Sequence, residues 1–163
     1  MCEYLSFCST WTEGEGVQVF SAASLKGHAE TVQLWDLPDD ARRWSWERDG
    51  ENSLVLSHGQ EMTPERDAER AEILRLWPDR GALTMYLIGK LHSHDKLSGG
   101  YLDLNGCTGL TALPDGLSVG GSLYLNGCTG LTALPDGLSV GGYLDLSGQK
   151  IVVPKSFKGN VVR

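Results

Sequence analysis

The run His92-Ser93-His94-Asp95 concentrates more side-chain chemistry than any other stretch of this chain. Two imidazoles and a carboxylate within four residues are donors that a borderline metal such as zinc accepts. In an extended segment both imidazoles would point to one side. The longer H-x-H-x-D-H metal pattern is broken, however, because Lys96 and Leu97 follow. The other imidazoles, His28 and His58, share no spacing with this run. A polar linker accounts for HSHDK without chemistry, and a metal-dependent hydrolase built on His28, His92 and His94 is the subordinate reading. The four cysteines suggest no disulfide framework. Cys107 and Cys128 are one repeat position copied and read as small core residues; Cys2 and Cys8 are the thiols more open to reaction. No Gly-x-Ser-x-Gly, phosphate loop or Cys-His pair in a recognisable setting occurs. No catalytic residue, enzyme activity or cofactor is expected.

Recognition chemistry is better represented. Tyr101, Ser122 and Tyr143 stand 21 residues apart, as do Asp103, Tyr124 and Asp145, and then Asn105, Asn126 and Ser147. On a rigid sheet the first two columns would form a binding surface of Tyr101, Asp103, Ser122, Tyr124, Tyr143 and Asp145. Tyrosine gives contact area and a polar tip at low entropic cost. The asparagines read as partners for turn backbone. A second candidate surface is an acidic helix bearing Glu65, Asp67, Glu69 and Glu72.

These columns exist because Leu104–Gly121 (LNGCTGLTALPDGLSVGG) recurs letter for letter as Leu125–Gly142. A self-repeat at 21 residues marks a stack of short coils. The strand cores are Leu102-Asp103-Leu104, Leu123-Tyr124-Leu125 and Leu144-Asp145-Leu146, with leucines inward and the middle residue outward. Cys107, Leu110, Leu113, Leu117 and Val119, with their copies, complete the inward set. Gly120-Gly121 and Gly141-Gly142 mark corners where a side chain would clash or φ must be positive. The last coil is degenerate, Val161-Val162 begins a fourth short strand, and Lys150, Lys155, Lys158 and Arg163 make that end basic.

Before the repeats, 17–22 alternates as a strand, and 24–35 is ambiguous: His28–Trp35 fits a short helix with Ala29, Val32 and Trp35 on one face, whereas Thr31–Trp35 alone fits a strand. Arg43–Glu47 and Ser53–Ser57 alternate about Asp49-Gly50, a hairpin signature, with Trp44 and Trp46 sharing the face packed on helices. Thr63-Pro64-Glu65 opens a helix over about 64–77, with Ala68, Ala71 and Leu74 along one stripe. After a turn at Asp79-Arg80-Gly81, a second helix runs over about 82–91 with Leu83, Leu87 and Leu91 on one face. The helix pair would cover the apolar end of the first coil.

Charge divides the chain at the same place. Residues 1–98 hold 10 Lys and Arg against 17 Asp and Glu, net −7; residues 99–163 hold 4 against 4, net zero. Such a chain does not suit direct binding to nucleic-acid phosphates. No apolar run nears the ~20 residues of a membrane span, and the N-terminus does not read as a signal peptide. The expected location is cytoplasmic.

The pattern L-x-L-x-x-C-x-x-L-x-x-L-P-x-x-L resembles the leucine-rich repeat, in the Cys-containing LxxLP form of bacterial effectors and plant immune receptors, over residues 99–153. It departs from that family where Gly120 or Gly141 replaces the leucine that opens each repeat. Effectors of this kind often carry a large C-terminal ubiquitin-ligase domain; with 21 residues after Gly142, that activity is not expected. The first half is similar, through Met1-Cys2-Glu3, the region of His28 and Trp44-Ser45-Trp46-Glu47, to the leading domain of small phage and prophage repeat proteins. That similarity implies a phage or mobile-element setting, with action in the bacterial host cytoplasm.

The reading is therefore an α+β chain: an acidic α+β domain (1–98) with a helical hairpin capping a leucine-rich-repeat-like solenoid of about three coils (99–163). Its expected function is non-enzymatic binding to another protein with a basic site, in the sharpest form an anti-CRISPR or other anti-defence inhibitor. Neither nucleic acid nor membrane is an expected partner. A self-assembling protein, dimeric through solenoid ends or hairpin edge, is the further alternative.

Overall fold

A computed structural model describes residues 4–47, 54–56 and 60–163. Cys2, His58 and the Asp49-Gly50 turn lie outside them. The chain is mixed α+β. Its first sheet has the order β2-β1-β3-β4, antiparallel throughout, from β1 (Tyr4–Thr12), β2 (Gly16–Phe20), β3 (Arg42–Glu47) and β4 (Leu54–Leu56). The sequence reading assigned no element to β1, which is the central strand. Leu5, Phe7 and Ser9 point to one face and Ser6 and Cys8 to the other, and all five are buried. With serines inside on both faces, the polar–apolar alternation that reveals a half-buried strand is lost.

The ambiguous segment after β2 is helical: α1 (His28–Trp35) packs on β1. Its inward side is set by buried Thr31, with His28 and Trp35 partly covered, whereas Ala29 is exposed. Thr31 Oγ1 accepts the Ala22 N–H at 2.8 Å, so a polar side chain occupies the position where an apolar stripe was expected.

Helix α2 (Pro64–Leu76) starts as its sequence dictates, Thr63 accepting the Arg66 N–H across the first turn with Pro64 at the first helical position. Its buried residues are Glu69 and Ile73; Ala68 and Ala71 face solvent, which corrects the expected stripe. Glu69 is 1% exposed. Ser9 Oγ donates to Glu69 Oε1 at 2.5 Å, Trp44 Nε1 donates to Ser9 Oγ at 2.6 Å, and the Arg42 guanidinium pairs with Oε2. A carboxylate can stay buried only when charge and hydrogen bonds compensate its lost water, and here Ser9 of β1 and Arg42 of β3 supply that compensation to a carboxylate carried by α2.

Helix α3 (Arg80–Ser93) begins two residues earlier than expected, because Asp79 is its N-cap rather than a turn residue, accepting the Ala82 N–H at 2.8 Å. Leu83, Leu87 and Leu91 are buried as expected, joined by Thr84 and Ile88.

Beyond α3 the strands β5 (Leu102–Asp103), β7 (Leu123–Tyr124), β9 (Tyr143–Asp145) and β10 (Asn160–Val162) form a parallel sheet of order β10-β9-β7-β5. β10 pairs with β9 at an offset of 17, Asn160 with Tyr143, whereas across β5, β7 and β9 residue n pairs with n+21, as in Leu102 with Leu123 and Leu123 with Leu144. A second parallel pair, β6 (Ser118–Val119) with β8 (Ser139–Val140), keeps the same offset. Leu102, Leu104, Leu123, Leu125, Leu144 and Leu146 are all buried, together with Cys107, Cys128 and the leucines between the strands except Leu138, which is half-buried. The paired glycines act by close approach. A Cβ on Gly120 would overlap the Ser98 carbonyl, and one on Gly141 the Gly120 carbonyl. Positive φ is found instead at Gly106, Gly127 and Gly148.

The halves share one apolar core running from Leu5 through α3 and Leu97 to Ile151. A Cβ on Gly81, in the first turn of α3, would strike the Gly109 carbonyl; the Gly120 N–H donates to the Leu97 carbonyl at 2.8 Å; and Lys26 pairs with Asp103 at 2.7 Å.

Candidate functional site

Two concave regions lie where separate elements meet. The first adjoins the tyrosine columns. Strand pairing stacks Tyr101, Ser122 and Tyr143 on successive strands, so the outer tyrosines are about 10 Å apart at the ~4.8 Å strand spacing. Tyr101 is 49% and Tyr143 57% exposed, while Tyr124 is half-buried with its ring edge-on to Tyr101 at 6.1 Å. Their neighbours hold the frame. Asp103 binds Lys26 and accepts the Asn105 N–H, Asp145 accepts from Ser147, and Ser122 Oγ accepts the Tyr143 N–H. Asn105 Oδ1 accepts the Asn126 N–H at 3.0 Å, joining adjacent strand ends rather than closing its own turn. Tyr101 and Tyr143 are thus the exposed side chains of the surface, and its aspartates accept backbone N–H groups.

Tyr101 also forms the lip of a cleft of about 530 Å³ between the two halves, which Glu30, Leu34, Asp95, Lys96 and Gly100 line. Sequence could not place Glu30 and Asp95 there, 65 residues apart and on different elements.

The second region is a groove of about 1050 Å³ over the face of the first sheet opposite Ser9. Thr10, Thr12, Gln18 and Phe20 form its floor; Trp35 of α1 and Tyr86, Lys90 and His94 from α3 and its end form its walls. Lys90 Nζ lies 3.7 Å from the centre of the Phe20 ring and donates to the Val19 carbonyl at 2.9 Å. Trp35 Nε1 donates to the Ser21 carbonyl, just past the end of β2, at 2.9 Å. These side chains occupy edge carbonyls that could otherwise pair with another strand. Burial pushes the Lys90 amine down to about 8. Lys90 carried no signal in the sequence, where it is one polar residue of an amphipathic helix.

The remaining candidates are dispersed. His92 and Ser93 belong to the last turn of α3 and His94 is its C-cap, so the run is not the extended segment expected. At ~100° per residue, helical winding turns positions 92 and 94 away from each other. The His94 ring stacks edge-on against Trp35 at 5.3 Å, and His28 Nε2 bonds the Trp44 carbonyl at 2.8 Å. Among the described residues no group of three or more His, Cys, Asp and Glu could hold a metal.

The acidic helix is also redistributed. Glu69 is buried with Arg42, and Glu72 forms a bidentate pair with Arg75. Glu65 and Asp67 stay exposed, and the backbone N–H of Glu65 itself, followed by the Thr63 side chain, holds the Glu65 carboxyl below its usual range. Four acids against Arg66, Arg70 and Arg75 leave α2 at net −1.

Cys8 is not a reactive thiol: it is fully buried, and desolvation raises it to about 11. Cys107 and Cys128 are buried, and the Cys128 thiol donates to the Leu104 carbonyl at 2.9 Å. Trp44 and Trp46 are core, whereas Trp11 is 57% exposed. No described helix is long and apolar enough to cross a membrane. Compared with known proteins, the chain matches no protein-family model, no curated protein and no solved structure.

Proposed function

We propose that this chain is a protein-binding module that grips an extended, basic segment of its partner with Tyr101, Tyr143 and the adjoining cleft. The observation that carries the reading is the exposure of these two tyrosines on backbone that Asp103, Asp145 and Ser122 hold in register. Exposed aromatics on a pre-ordered frame bind with little entropic loss. Glu30 and Asp95 give the cleft the charge to take an Arg or Lys, against Lys96 on the same wall. The patch is far smaller than a standard ~800 Å² face, which suits a segment better than a globular surface.

The repeat half is on this reading a short solenoid of leucine-rich type, and the first half caps its opening turn. The 21-residue parallel register and inward leucines support the solenoid, and the contacts of Gly81, Leu97 and Lys26 support the cap. Because α2 is nearly neutral, the basic partner is assigned to the cleft and not to that helix.

Immobilised protein exposed to bacterial lysate at low and at 0.5 M salt tests the proposal. A stoichiometric partner held by the wild type and by Val152→Ala, and lost by Tyr101→Ala/Tyr143→Ala, is the expected result. Equal retention by the tyrosine variant would sink it. The narrower reading, inhibition of a bacterial defence protein, rests on the phage resemblance; plating phage on cells that express the chain beside a CRISPR or restriction system checks it. Self-assembly is favoured by one observation: β10 is an outer strand with Val161 and Val162 exposed. A mass that rises with concentration would support it.

A further inference from the structure

We propose that Lys90 is a nucleophilic amine and that its groove takes a small aromatic aldehyde or ketone, captured reversibly as an imine. Nζ sits among three rings, 3.7 Å from the centre of Phe20, 5.7 Å from Trp35 and 6.0 Å from Tyr86. Those rings also line the open volume of the groove, so a planar guest would stack on them beside the nitrogen. The same groove is lined by Glu15 from the β1–β2 turn and by Tyr86, Ser93 and His94 from α3 and its end, and Lys96 Nζ lies 5.2 Å from the Trp35 ring centre. Among the described residues Lys90 makes no ion pair. The rings offer partial compensation for its charge, but desolvation prevails and the amine falls to about 8.

Neutralising Lys90 costs little of its structural role, because a neutral amine still donates an N–H to the Val19 carbonyl. Its lone pair is then available to a carbonyl carbon. The C–N bond forms, a proton passes from nitrogen to oxygen, and loss of water from the carbinolamine gives the C=N bond. Hydrolysis reverses the step, and no oxidant or reductant is required.

Intact protein treated with benzaldehyde and cyanoborohydride at pH 7 tests this, with reduced adducts located by peptide mapping. Lys90 should be benzylated at least about tenfold faster than Lys26, Lys96, Lys150, Lys155 or Lys158. Its rate should level off as pH passes about 8. Substituting acetaldehyde should erase much of that preference, and Phe20→Leu should narrow the gap between the two aldehydes at Lys90. Labelling spread evenly over the lysines, or slowest at Lys90, overturns the proposal. Preference for Lys90 with no advantage of benzaldehyde over acetaldehyde overturns its aromatic guest. Mapping on the wild type keeps the main result independent of whether any variant folds.

Discussion

The two halves of this molecule are held together by opposite strategies. In the repeat half the same contact recurs every 21 residues: leucine above leucine and glycine against carbonyl. In the first half the decisive contacts occur once and join distant residues, as when Glu69 reaches Ser9, 60 positions away, or Lys90 reaches Val19, 71 positions away. Repetition spreads stability over equivalent sites, whereas a buried polar network makes each member indispensable to the others. The candidate site features divide similarly. The repeats display exposed tyrosines on a regular frame, and the first half holds a titratable amine that no regularity predicts.

The largest expected effect comes from breaking the unique network. Glu69→Ala would leave Arg42 and Ser9 without their shared acceptor, while the Trp44 indole keeps Ser9 Oγ, and should cost about 3–5 kcal/mol in a denaturant titration. A loss below about 1 kcal/mol would show that the first half tolerates damage as a repeat does. Leu125→Ala, in the middle turn, should cost about 2–5 kcal/mol because leucines on both neighbouring strands prevent collapse of the cavity. Gly120→Ala should cost about 1–3 kcal/mol, since its Cβ meets the Ser98 backbone, while Gly99→Ala, with open space around it, should be nearly silent.

Titration sharpens the comparison, because both strongly shifted groups belong to the first half. Lys90 falls to about 8 from 10.5, so between those values the unfolded chain holds more protons and stability rises with pH. Cys8 rises to about 11 from 9.0, so between those values the folded chain holds more protons and stability falls. The contribution of this pair should increase from pH 8 to 9, oppose itself up to about 10.5, and then decline toward 11. Unfolding free energies across that range check this: Lys90→Met should remove the rise and Cys8→Ala the fall. The smallest effect is expected at the seam. Lys26→Ala breaks a pair whose side chains are 41% and 19% exposed, and should cost at most about 1 kcal/mol, less in high salt.

How legible each region was follows from the same contrast. The repeat register, the inward leucines and cysteines and the exposed Tyr101 and Tyr143 could all be read, because a period states each residue's environment several times over. The β3–β4 pair and both long helices were legible from alternation and capping. Strand β1 was not, since Ser6 and Ser9 are buried in it, and the side of α2 was misassigned because the reading sought an apolar stripe where Glu69 points inward. Extended geometry was assumed for His92 and His94, although α3 continues through Ser93 and turns them apart. Of the candidate cleft, Tyr101 was visible; Glu30 and Asp95 were not, because chain folding alone makes them neighbours.

By itself, then, the sequence determined what depends on local or periodic pattern: a 21-residue stacking register, strands in their alternating stretches, helix starts at Thr63-Pro64, and an acidic first half beside a neutral second. Tertiary structure alone decided which charges survive as surface. It buried Glu69 beside Arg42 and wrapped Lys90 in aromatic rings. The physical reason is that local pattern reports what a backbone segment prefers, whereas the state of an ionisable group depends on the water it loses and the distant partners it meets.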